Sequence, residues 1–270
     1  MNKRIFLISF FMTAAVITSC GEVGYLSSDE SAADIAALEE IETESESETE
    51  TETEAETQMP TEPIEMPDGY ELSGSCRLDV ETILQNPELP TGCEVTALAT
   101  ALNYFGFDID KVELCDNFLP IEYDSEYTFN DAYIGNPKSS NGFGCYAPVI
   151  VRTAEDYFES IDAEWGALDL SDTDFQDLFY QLEKGRPVIV WASMGLKDVT
   201  MRLYWTTDDG DEAWFASLEH CMVLTGYDYD EGIVYAADPL KGDMEYSIER
   251  FESVYEQLGR QAVIVYEKEN

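Results

Sequence analysis

Histidine is nearly absent from this chain of 270 residues, which contains one, His220. Any mechanism that needs an imidazole near neutral pH must therefore use this residue. A histidine-based zinc site is a poor fit, because there is one histidine and the six cysteines lack C-x-x-C spacing. The acidic segment 208–212 departs from the EF-hand calcium pattern and is interpreted as a loop. We expect no metal centre and no cofactor.

Basic residues are also scarce, since 14 Lys and Arg stand against 57 Asp and Glu. Residues 77–270 alone carry 39 acids and 12 bases, a formal net charge of −27. Such a surface repels the phosphates of nucleic acids and of anionic lipids, so we expect no nucleic-acid partner. A neutral or cationic substrate fits this charge, and solubility outside a cell would explain it equally well.

The N-terminus lacks an apolar run long enough to span a bilayer. Lys3 and Arg4 precede the apolar run 5–17, which ends at small residues. This order is typical of a secretion signal. Residues 17–20, ITSC, resemble the lipobox of bacterial lipoproteins, which implies that Cys20 becomes the lipidated first residue of the mature chain. An ordinary signal peptide that is cut elsewhere is the alternative.

The next segment, 21–75, has few apolar residues and no Lys or Arg. It is rich in Glu, Ser, Thr and Ala, with the near-repeat ETESESETETETEAET at its centre. Low hydrophobicity and like-charge repulsion predict a disordered tether, and about 50 flexible residues reach on the order of 40 Å. The sequence thus predicts a lipoprotein signal over 1–20, an acidic tether over 21–75 and a folded domain over 76–270.

Helical patterns precede strand patterns in the folded part. Apolar residues recur at helical spacing in four segments, 91–105, 148–158, 171–183 and 247–258. Short apolar runs predict four strands, 187–192, 221–225, 233–237 and 261–266. Thr91 with Glu94 predicts a capping box for the first helix, and Ser171 with Asp174 caps the third. This order predicts an α+β fold in which a mostly antiparallel sheet packs on a helical half.

A nucleophile for His220 is predicted at the start of the first helix. Cys93 lies in its first turn, where unpaired backbone N–H groups and the helix dipole favour a thiolate. The alternative is that Cys93 is a small buried hydrophobic residue, as most free cysteines are. Position at a helix start does not separate these two interpretations.

The spacing of His220 and Asp238 adds independent support. The two strand-like runs between them are joined by the turn-rich segment 226–232. A hairpin folded symmetrically about Tyr229 would place residues 220 and 238 opposite each other, with Cβ atoms about 5 Å apart. Asp238 would then orient His220 while the other ring nitrogen takes the thiol proton of Cys93. Asp238 before Pro239 is also a common turn start, and both roles can hold together.

Four blocks resemble the double-glycine leader peptidase-like proteins, a branch of the papain-like cysteine peptidase superfamily. They are QNPELPTGCE with VTALATALNYFG (85–106), RPVIVWASMG (186–195), LEHCMVLTGYD (218–228) and VYAADPLKG (234–242). The resemblance spans 82–267 and implies a papain-like fold with the nucleophile helix packed on the sheet. It further implies Cys93 as nucleophile, His220 as general base and then acid, and Asp238 as the orienting acid.

The resemblance also implies a donor for the oxyanion. Gln85 matches the family's glutamine upstream of the cysteine, and it would act with the backbone N–H of Cys93 on the tetrahedral intermediate. Gln85 lies slightly further from the nucleophile along the chain than the equivalent residue does in papain. A plain loop glutamine is the alternative.

We therefore expect a lipid-anchored monomer outside a Gram-positive-like bacterium. It would hydrolyse a peptide or isopeptide bond through a thioester acyl-enzyme on Cys93. Two alternatives stay open: an amidase that cuts cell-wall peptides with the same residues, and a non-catalytic surface module that binds peptides or wall polymer. Known family members trim leader peptides while fused to exporters, but no transporter segments are evident here, so another substrate is expected.

Two features of the folded part stay open. Four cysteines remain after Cys20 and Cys93 are assigned, namely Cys76, Cys115, Cys145 and Cys221, and they allow three pairings. A bridge between Cys115 and Cys145 is one of these, whereas Cys221 is expected to be buried, reduced and turned away from His220. The loop 197–218, with Trp205 and Trp214, is either a lid over the cleft or a well-packed insertion.

Overall fold

A computed structural model describes residues 65–268 of the chain. The predicted signal peptide, the lipidation site Cys20 and the tether as far as residue 64 lie outside the described residues. Within the described range, no helix is both long and apolar enough to cross a membrane. Tyr70 and Ser73, which belong to the segment predicted as tether, donate hydrogen bonds to the carboxylate of Glu183. Ordered contacts therefore begin upstream of residue 76.

The described elements alternate between helices and short strands in the first half of the domain and are mostly strands in the second. In chain order they are β1 (Ser75–Arg77), α1 (Cys93–Tyr104), α2 (Lys111–Asn117), β2 (Ile121–Glu122), β3 (Tyr133–Ile134), α3 (Ala147–Ser160), β4 (Trp165–Asp169), α4 (Leu178–Glu183), β5 (Val188–Ser193), β6 (Met201–Thr206), β7 (Glu212–Ala216), β8 (Glu219–Asp228), β9 (Ile233–Asp238), β10 (Gly242–Ser247), α5 (Ile248–Gln257) and β11 (Ala262–Glu267). The four predicted strands correspond to β5, β8, β9 and β11.

A seven-stranded sheet organises the domain. Six of its strands run in the order β10-β9-β8-β5-β11-β4. The seventh, β1, pairs with the C-terminal end of β8. Every pair in this sheet is antiparallel. All six residues of β5 and nine of the ten in β8 are buried, as expected for central strands covered on both faces. The predicted α+β class with a mostly antiparallel sheet is confirmed.

Helix α1 is buried along most of its length and packs on β8, β5, α2 and α3. Small residues at Ala97, Ala99, Thr100 and Ala101 allow the surrounding elements to approach closely. Its buried hydroxyls bond to the helix itself, since Thr96 donates to the carbonyl of Gly92 and Thr100 to that of Thr96. No polar group in this stretch needs solvent, and the helix can therefore hold its first residue at a fixed place beside the sheet.

The predicted capping box of α1 is wrong. The helix begins at Cys93, and its N-cap Gly92 makes no side-chain cap. The hydroxyl of Thr91 donates to the carbonyl of Ser139, and the carboxylate of Glu94 accepts from the backbone N–H of Cys145 at 2.8 Å. Both side chains were assigned to the helix end from local spacing, but the segment 136–145 supplies their partners.

The third predicted helix is shorter than expected. Within the predicted range 171–183, only α4 is helical. Its N-cap Asp177 makes no side-chain cap, so the predicted cap at Ser171 and Asp174 is wrong. Arg260 explains the difference, because its guanidinium donates to the carbonyl of Asp172 and to the carboxylate of Asp174. These long-range bonds hold 171–177 as turns.

Candidate active site

A cavity of about 350 Å³ lies between the start of α1 and the start of β8. Cys93, His220 and Gln85, which are distant in sequence, all line it. Asp238 does not line the cavity and lies behind His220, at the end of β9. The fold thus brings all four predicted site residues into one region.

His220 and Asp238 form the best-defined contact of the site. The ring Nε2 of His220 lies 2.7 Å from Oδ1 of Asp238, and the two residues are 1% and 0% exposed. Oδ1 also accepts from the backbone N–H of Leu240 at 2.8 Å, and Oδ2 accepts from the hydroxyl of Tyr246 at 2.8 Å. Burial raises the pKa of Asp238, but these bonds and the attraction of His220 outweigh it and lower the pKa to about 2. Asp238 is therefore a carboxylate.

The strand register behind this contact differs from the predicted one. Val223 pairs with Ala237, and a bulge between Leu224 and Gly226 shifts the ladder. His220 and Asp238 are therefore not directly opposite each other, and the predicted symmetry about Tyr229 is wrong. The side chains still meet across the offset, as diagonal neighbours on a sheet can. The hydrogen bond from the backbone N–H of Leu240 to Asp238 closes an Asx turn. The predicted turn role of Asp238 therefore coexists with its contact to His220.

The thiol of Cys93 faces a different partner from the one predicted. Sγ donates to Oε2 of Glu94 at 3.3 Å. Within the described residues, no hydrogen bond joins this thiol to His220. Burial, and then the negative charges of Glu94 and Glu219, raise the pKa of the Cys93 thiol well above its usual range. In this arrangement the sulfur is a neutral thiol held by a carboxylate.

Glu94 and Glu219 form a buried acid pair beside that thiol. One ligand atom of each, with Sγ of Cys93, makes a group in which all three atoms lie within 4.8 Å of one another, close enough to hold a metal ion. Burial raises the pKa of Glu94 to about 7. Burial, and then the charge of Glu94, raises the pKa of Glu219 well above its usual range. The pair therefore retains at least one proton at neutral pH.

Sequence reasoning missed this pair. Glu94 was assigned to a helix cap, and Glu219, outside the predicted strand 221–225, was given no role. A signal was present, because each acid is the chain neighbour of a predicted catalytic residue, in Cys93-Glu94 and Glu219-His220. Only the packing of α1 on β8 brings the two acids together.

Gln85 lies in the cavity wall and is 2% exposed. Its Nε2 donates to the carbonyl oxygens of Leu89 and Pro90, at 3.3 and 2.9 Å, whereas Oε1 has no partner. The ammonium of Lys111 donates to the backbone carbonyl of Gln85 at 3.1 Å and fixes this loop. Donation to an oxyanion would require Nε2 to release one of its two present bonds.

The hairpin β6–β7 forms an aromatic wall of the cavity. Tyr204 and Phe215 from this hairpin line it. Phe215 stacks on Phe129 with ring centroids 4.4 Å apart, and Trp205 packs on the same ring at 5.2 Å. The indole N–H of Trp205 also donates to the carbonyl of Tyr127. The loop 197–218 is thus a packed insertion that lines the cleft.

The described cysteines are all free, namely Cys76, Cys93, Cys115, Cys145 and Cys221. The bridge between Cys115 and Cys145 that the sequence left open is not formed. Cys221 is buried and reduced, as expected. Cys93 alone among the described cysteines lines the cavity.

Comparison with known proteins identifies the family of the chain. The model of the Peptidase_C39 like family matches residues 77–263. The uncharacterized protein YvpB of Bacillus subtilis (strain 168) is 34% identical over 205 residues, which cover 72% of this chain and 78% of YvpB. These matches confirm the resemblance predicted from the four sequence blocks.

Two solved structures resemble the chain to different degrees. A crystal structure from Bacillus anthracis, described only as a C39-like peptidase, is 29% identical, with a TM-score of 0.63, and the match covers 73% of this chain and all of that one. This match confirms the papain-like architecture. The peptidase domain of Streptococcus ComA is 15% identical with a TM-score of 0.40, over 69% of this chain and 97% of that domain. That score is too low to support an inference.

Proposed function

We propose, since the chain belongs to the Peptidase_C39 like family and is a cysteine peptidase-like hydrolase, that it cleaves a peptide or isopeptide bond with Cys93 as nucleophile. The observation that carries this proposal is the 2.7 Å contact between His220 and Asp238 beside a cavity that Cys93 and His220 both line. A histidine oriented by a buried carboxylate is the usual partner of a thiol nucleophile.

Asp238 sets the tautomer of His220 in this mechanism. The ionised carboxylate of Asp238 can accept a hydrogen bond but cannot donate one, so the neutral ring of His220 must carry its proton on Nε2. Nδ1 is then free to accept the thiol proton. Asp238 also stabilises the imidazolium that forms, and its three hydrogen bonds keep it ionised while it does so.

The thiol must leave Glu94 before it can react. Once Sγ turns to His220, the imidazole takes its proton and the thiolate attacks the substrate carbonyl carbon. The tetrahedral oxyanion would be stabilised by the backbone N–H of Cys93 and by Gln85 after it releases Leu89 or Pro90. Collapse breaks the scissile C–N bond, His220 protonates the departing amine, and a thioester remains on Cys93. A water activated by His220 then hydrolyses the thioester and restores the thiol.

The cavity and the surface charge bear on the substrate. Phe143, Met194, Tyr204 and Leu218 line the cavity and are each partly exposed. They favour an apolar substrate side chain near the scissile bond. The net charge of −27 over 77–270 favours a neutral or cationic peptide.

Activity is tested by incubating the full chain with peptide libraries and, separately, with purified peptidoglycan, and reading new termini by mass spectrometry. Cys93→Ser should abolish cleavage. Cys76→Ser is the matched control, because Cys76 is also a free cysteine and lies outside the cavity. New termini in peptidoglycan alone would favour the cell-wall amidase. Cleavage by Cys93→Ser at the wild-type rate, or no cleavage with either substrate, would contradict the proposal.

The location is part of the same proposal. The ITSC segment and the acidic run after it support a lipid anchor at Cys20 and a position outside the cytoplasmic membrane. Metabolic labelling with an alkyne fatty acid should tag the wild-type chain. Cys20→Ala should lose the label and appear in the culture medium or remain unprocessed, and a labelled Cys20→Ala chain would contradict the anchor.

A further inference from the structure

Three ligand atoms converge at the start of α1 in a way that the hydrolytic mechanism does not use. They belong to Cys93, Glu94 and Glu219, all three residues are buried, and the atoms lie within 4.8 Å of one another. We propose that this cluster binds a divalent transition-metal cation, with zinc as the best fit, and that the bound ion holds the nucleophile sulfur inactive. The second half of this statement rests on the proposed function, and the first does not.

An unpartnered oxygen points to a missing ligand. Oε1 of Glu219 is buried without a hydrogen-bond partner, in a residue that is 8% exposed. A buried acceptor without a partner costs free energy, and the cost rises when the group is charged. A cation between the two acids would supply the missing partner and take the place of the proton that the pair retains.

A glycine allows the two carboxylates to approach the same point. A Cβ placed on Gly144 would lie 2.4 Å from Oε1 of Glu94 and 3.2 Å from Oε2 of Glu219. Any other residue at position 144 would therefore displace at least the first of them. The lack of a side chain at position 144 thus leaves room for both carboxyl groups beside Phe215.

The donor set selects the class of metal. Zinc takes thiolate and carboxylate ligands in tetrahedral sites, with bonds of about 2.3 Å to sulfur and 2.0–2.2 Å to oxygen, so ligand atoms lie roughly 3.3–3.7 Å apart. For a sulfur–oxygen pair the spacing is about 3.5–3.7 Å, so the 3.3 Å between Sγ of Cys93 and Oε2 of Glu94 needs to widen by only a few tenths of an ångström. Calcium and magnesium prefer six or more oxygen ligands and disfavour a thiolate. A water from the cavity, which Cys93 and Glu219 both line, can complete the tetrahedron.

Metal binding would block the first step of hydrolysis. The Cys93 thiol and the acid pair lose their protons to solvent as the ion binds, and the sulfur lone pair that would attack the substrate is then committed to the sulfur–metal bond. The sulfur also remains on the Glu94 side and cannot turn to His220. Removal of the metal returns the thiol, so the inhibition is reversible.

The binding test uses the full chain and cadmium as a spectroscopic probe, because cadmium bonded to thiolate gives an ultraviolet charge-transfer band. The wild type should show this band at one equivalent, and zinc should displace it. Cys93→Ser should lose the band. Glu219→Gln should weaken binding by at least about tenfold, since one ligand is removed. Glu231→Gln, which makes the same change at an exposed position on the β8–β9 turn, should bind as the wild type does.

A second set of measurements uses only the wild-type protein, so it does not depend on whether a variant folds. X-ray absorption on the zinc-loaded wild type should show one sulfur with oxygen neighbours. Zinc should also slow the alkylation of Cys93 by iodoacetamide, and a chelator should restore it. A band that survives Glu219→Gln with unchanged affinity, a zinc ion with only oxygen neighbours, or a band that persists in Cys93→Ser would each overturn the proposal.

The substrate assays keep the two proposals separate. If hydrolysis is found, zinc should abolish it reversibly in the wild type and much less in Glu219→Gln. If hydrolysis is not found, the cadmium and absorption measurements still decide whether the cluster is a metal site. An active wild type that binds zinc through Cys93 and still cleaves peptide at the full rate would overturn the inhibitory role.

Discussion

Two groups of buried carboxyls flank the site, and they have opposite surroundings. Asp238 accepts hydrogen bonds from His220, Leu240 and Tyr246, and its pKa is lowered to about 2. Glu94 and Glu219 are also buried, but they face each other and a thiol, one oxygen of Glu219 has no partner, and the pKa of both is raised. The comparison shows that partners, and not burial, decide whether a carboxyl here is charged.

The difference assigns opposite consequences to the two groups. The carboxylate of Asp238 supports an imidazolium and promotes the proposed chemistry. The acid pair holds the Cys93 thiol neutral and opposes it. The resting site therefore contains one half that is ready for catalysis and one half that must rearrange.

The largest effect is expected from Asp238→Asn. An amide carries no charge to stabilise the imidazolium, and it can present its N–H to Nε2 and so favour the wrong tautomer, so kcat/KM should fall on the order of 10³-fold. Peptide cleavage assays at neutral pH measure it. Asp243→Asn is the matched control, because Asp243 is exposed and pairs with Arg77 on the surface, and its rate should stay within about twofold of the wild type. Equal losses in both variants would break the comparison.

The two carboxyl groups should also give stability opposite pH slopes. Asp238 has a folded pKa of about 2, below its unfolded value, so its contribution, on the order of 2 kcal/mol, is present above about pH 4 and is lost as the pH falls towards 2. Glu94 has a folded pKa of about 7, above its unfolded value, so the fold loses roughly 3 kcal/mol as the pH rises from about 4.5 through 7.

Urea unfolding across pH measures both slopes. Glu94→Gln should reduce the loss between pH 4.5 and 7, with the remainder coming from Glu219, and should leave the decrease in stability below pH 4 unchanged. Asp238→Asn should remove the decrease in the free energy of unfolding that the wild type shows as the pH falls from about 4 towards 2. A wild type whose stability rises between pH 5 and 7, with Glu94→Gln rising in parallel, would show that the acid pair is not strained in the way described.

Glu219→Gln should sharpen the contrast at the thiol. Glu219→Gln removes the negative charge that raises the pKa of the Cys93 thiol. Because Glu219 keeps its proton well above its usual pKa, the gain in thiolate should grow with pH, and each unit by which the thiol pKa falls is worth about tenfold in alkaline solution. Metal-free alkylation by iodoacetamide, followed at Cys93 by mass spectrometry, reports the change. Glu231→Gln should leave the rate unchanged. A slower reaction in Glu219→Gln would mean that the acid assists the thiol.

The smallest effect is expected from Tyr246→Phe. It removes one of the donors to Asp238, so the free energy of unfolding should fall by about 1 kcal/mol and the pKa of Asp238 should rise. Tyr229→Phe is the control, since that hydroxyl makes a long 3.3 Å contact near the surface. Urea midpoints separate the two variants, and equal midpoints would show that Tyr246 does not stabilise the carboxylate.

Local pattern was enough to predict much of the frame. The central strands and α5 follow from apolar runs and period, and the pairing of His220 with Asp238 follows from two strands joined by a turn. The register was wrong because a bulge beside Gly226 cannot be derived from hydrophobic pattern. Gly226 approaches β1 so closely that a Cβ would lie 2.4 Å from the carbonyl oxygen of Cys76, which is a tertiary constraint.

The acid pair shows where sequence reasoning stops. Thr91 and Glu94 satisfy the local rule for a capping box, yet their partners come from 136–145, on a different part of the chain. Glu219 meets Glu94 only because α1 packs on β8. Charge states that depend on such packing, unlike residue identities, become predictable only once the fold is known.

The central claim is that His220, held by Asp238, activates Cys93. The most direct test is the rate of Cys93 alkylation by iodoacetamide in metal-free protein at neutral pH, compared between the wild type and His220→Ala. The account predicts a wild-type rate at least about tenfold higher, with Cys76 reacting equally in both proteins. Equal rates at Cys93 in the two proteins would contradict it.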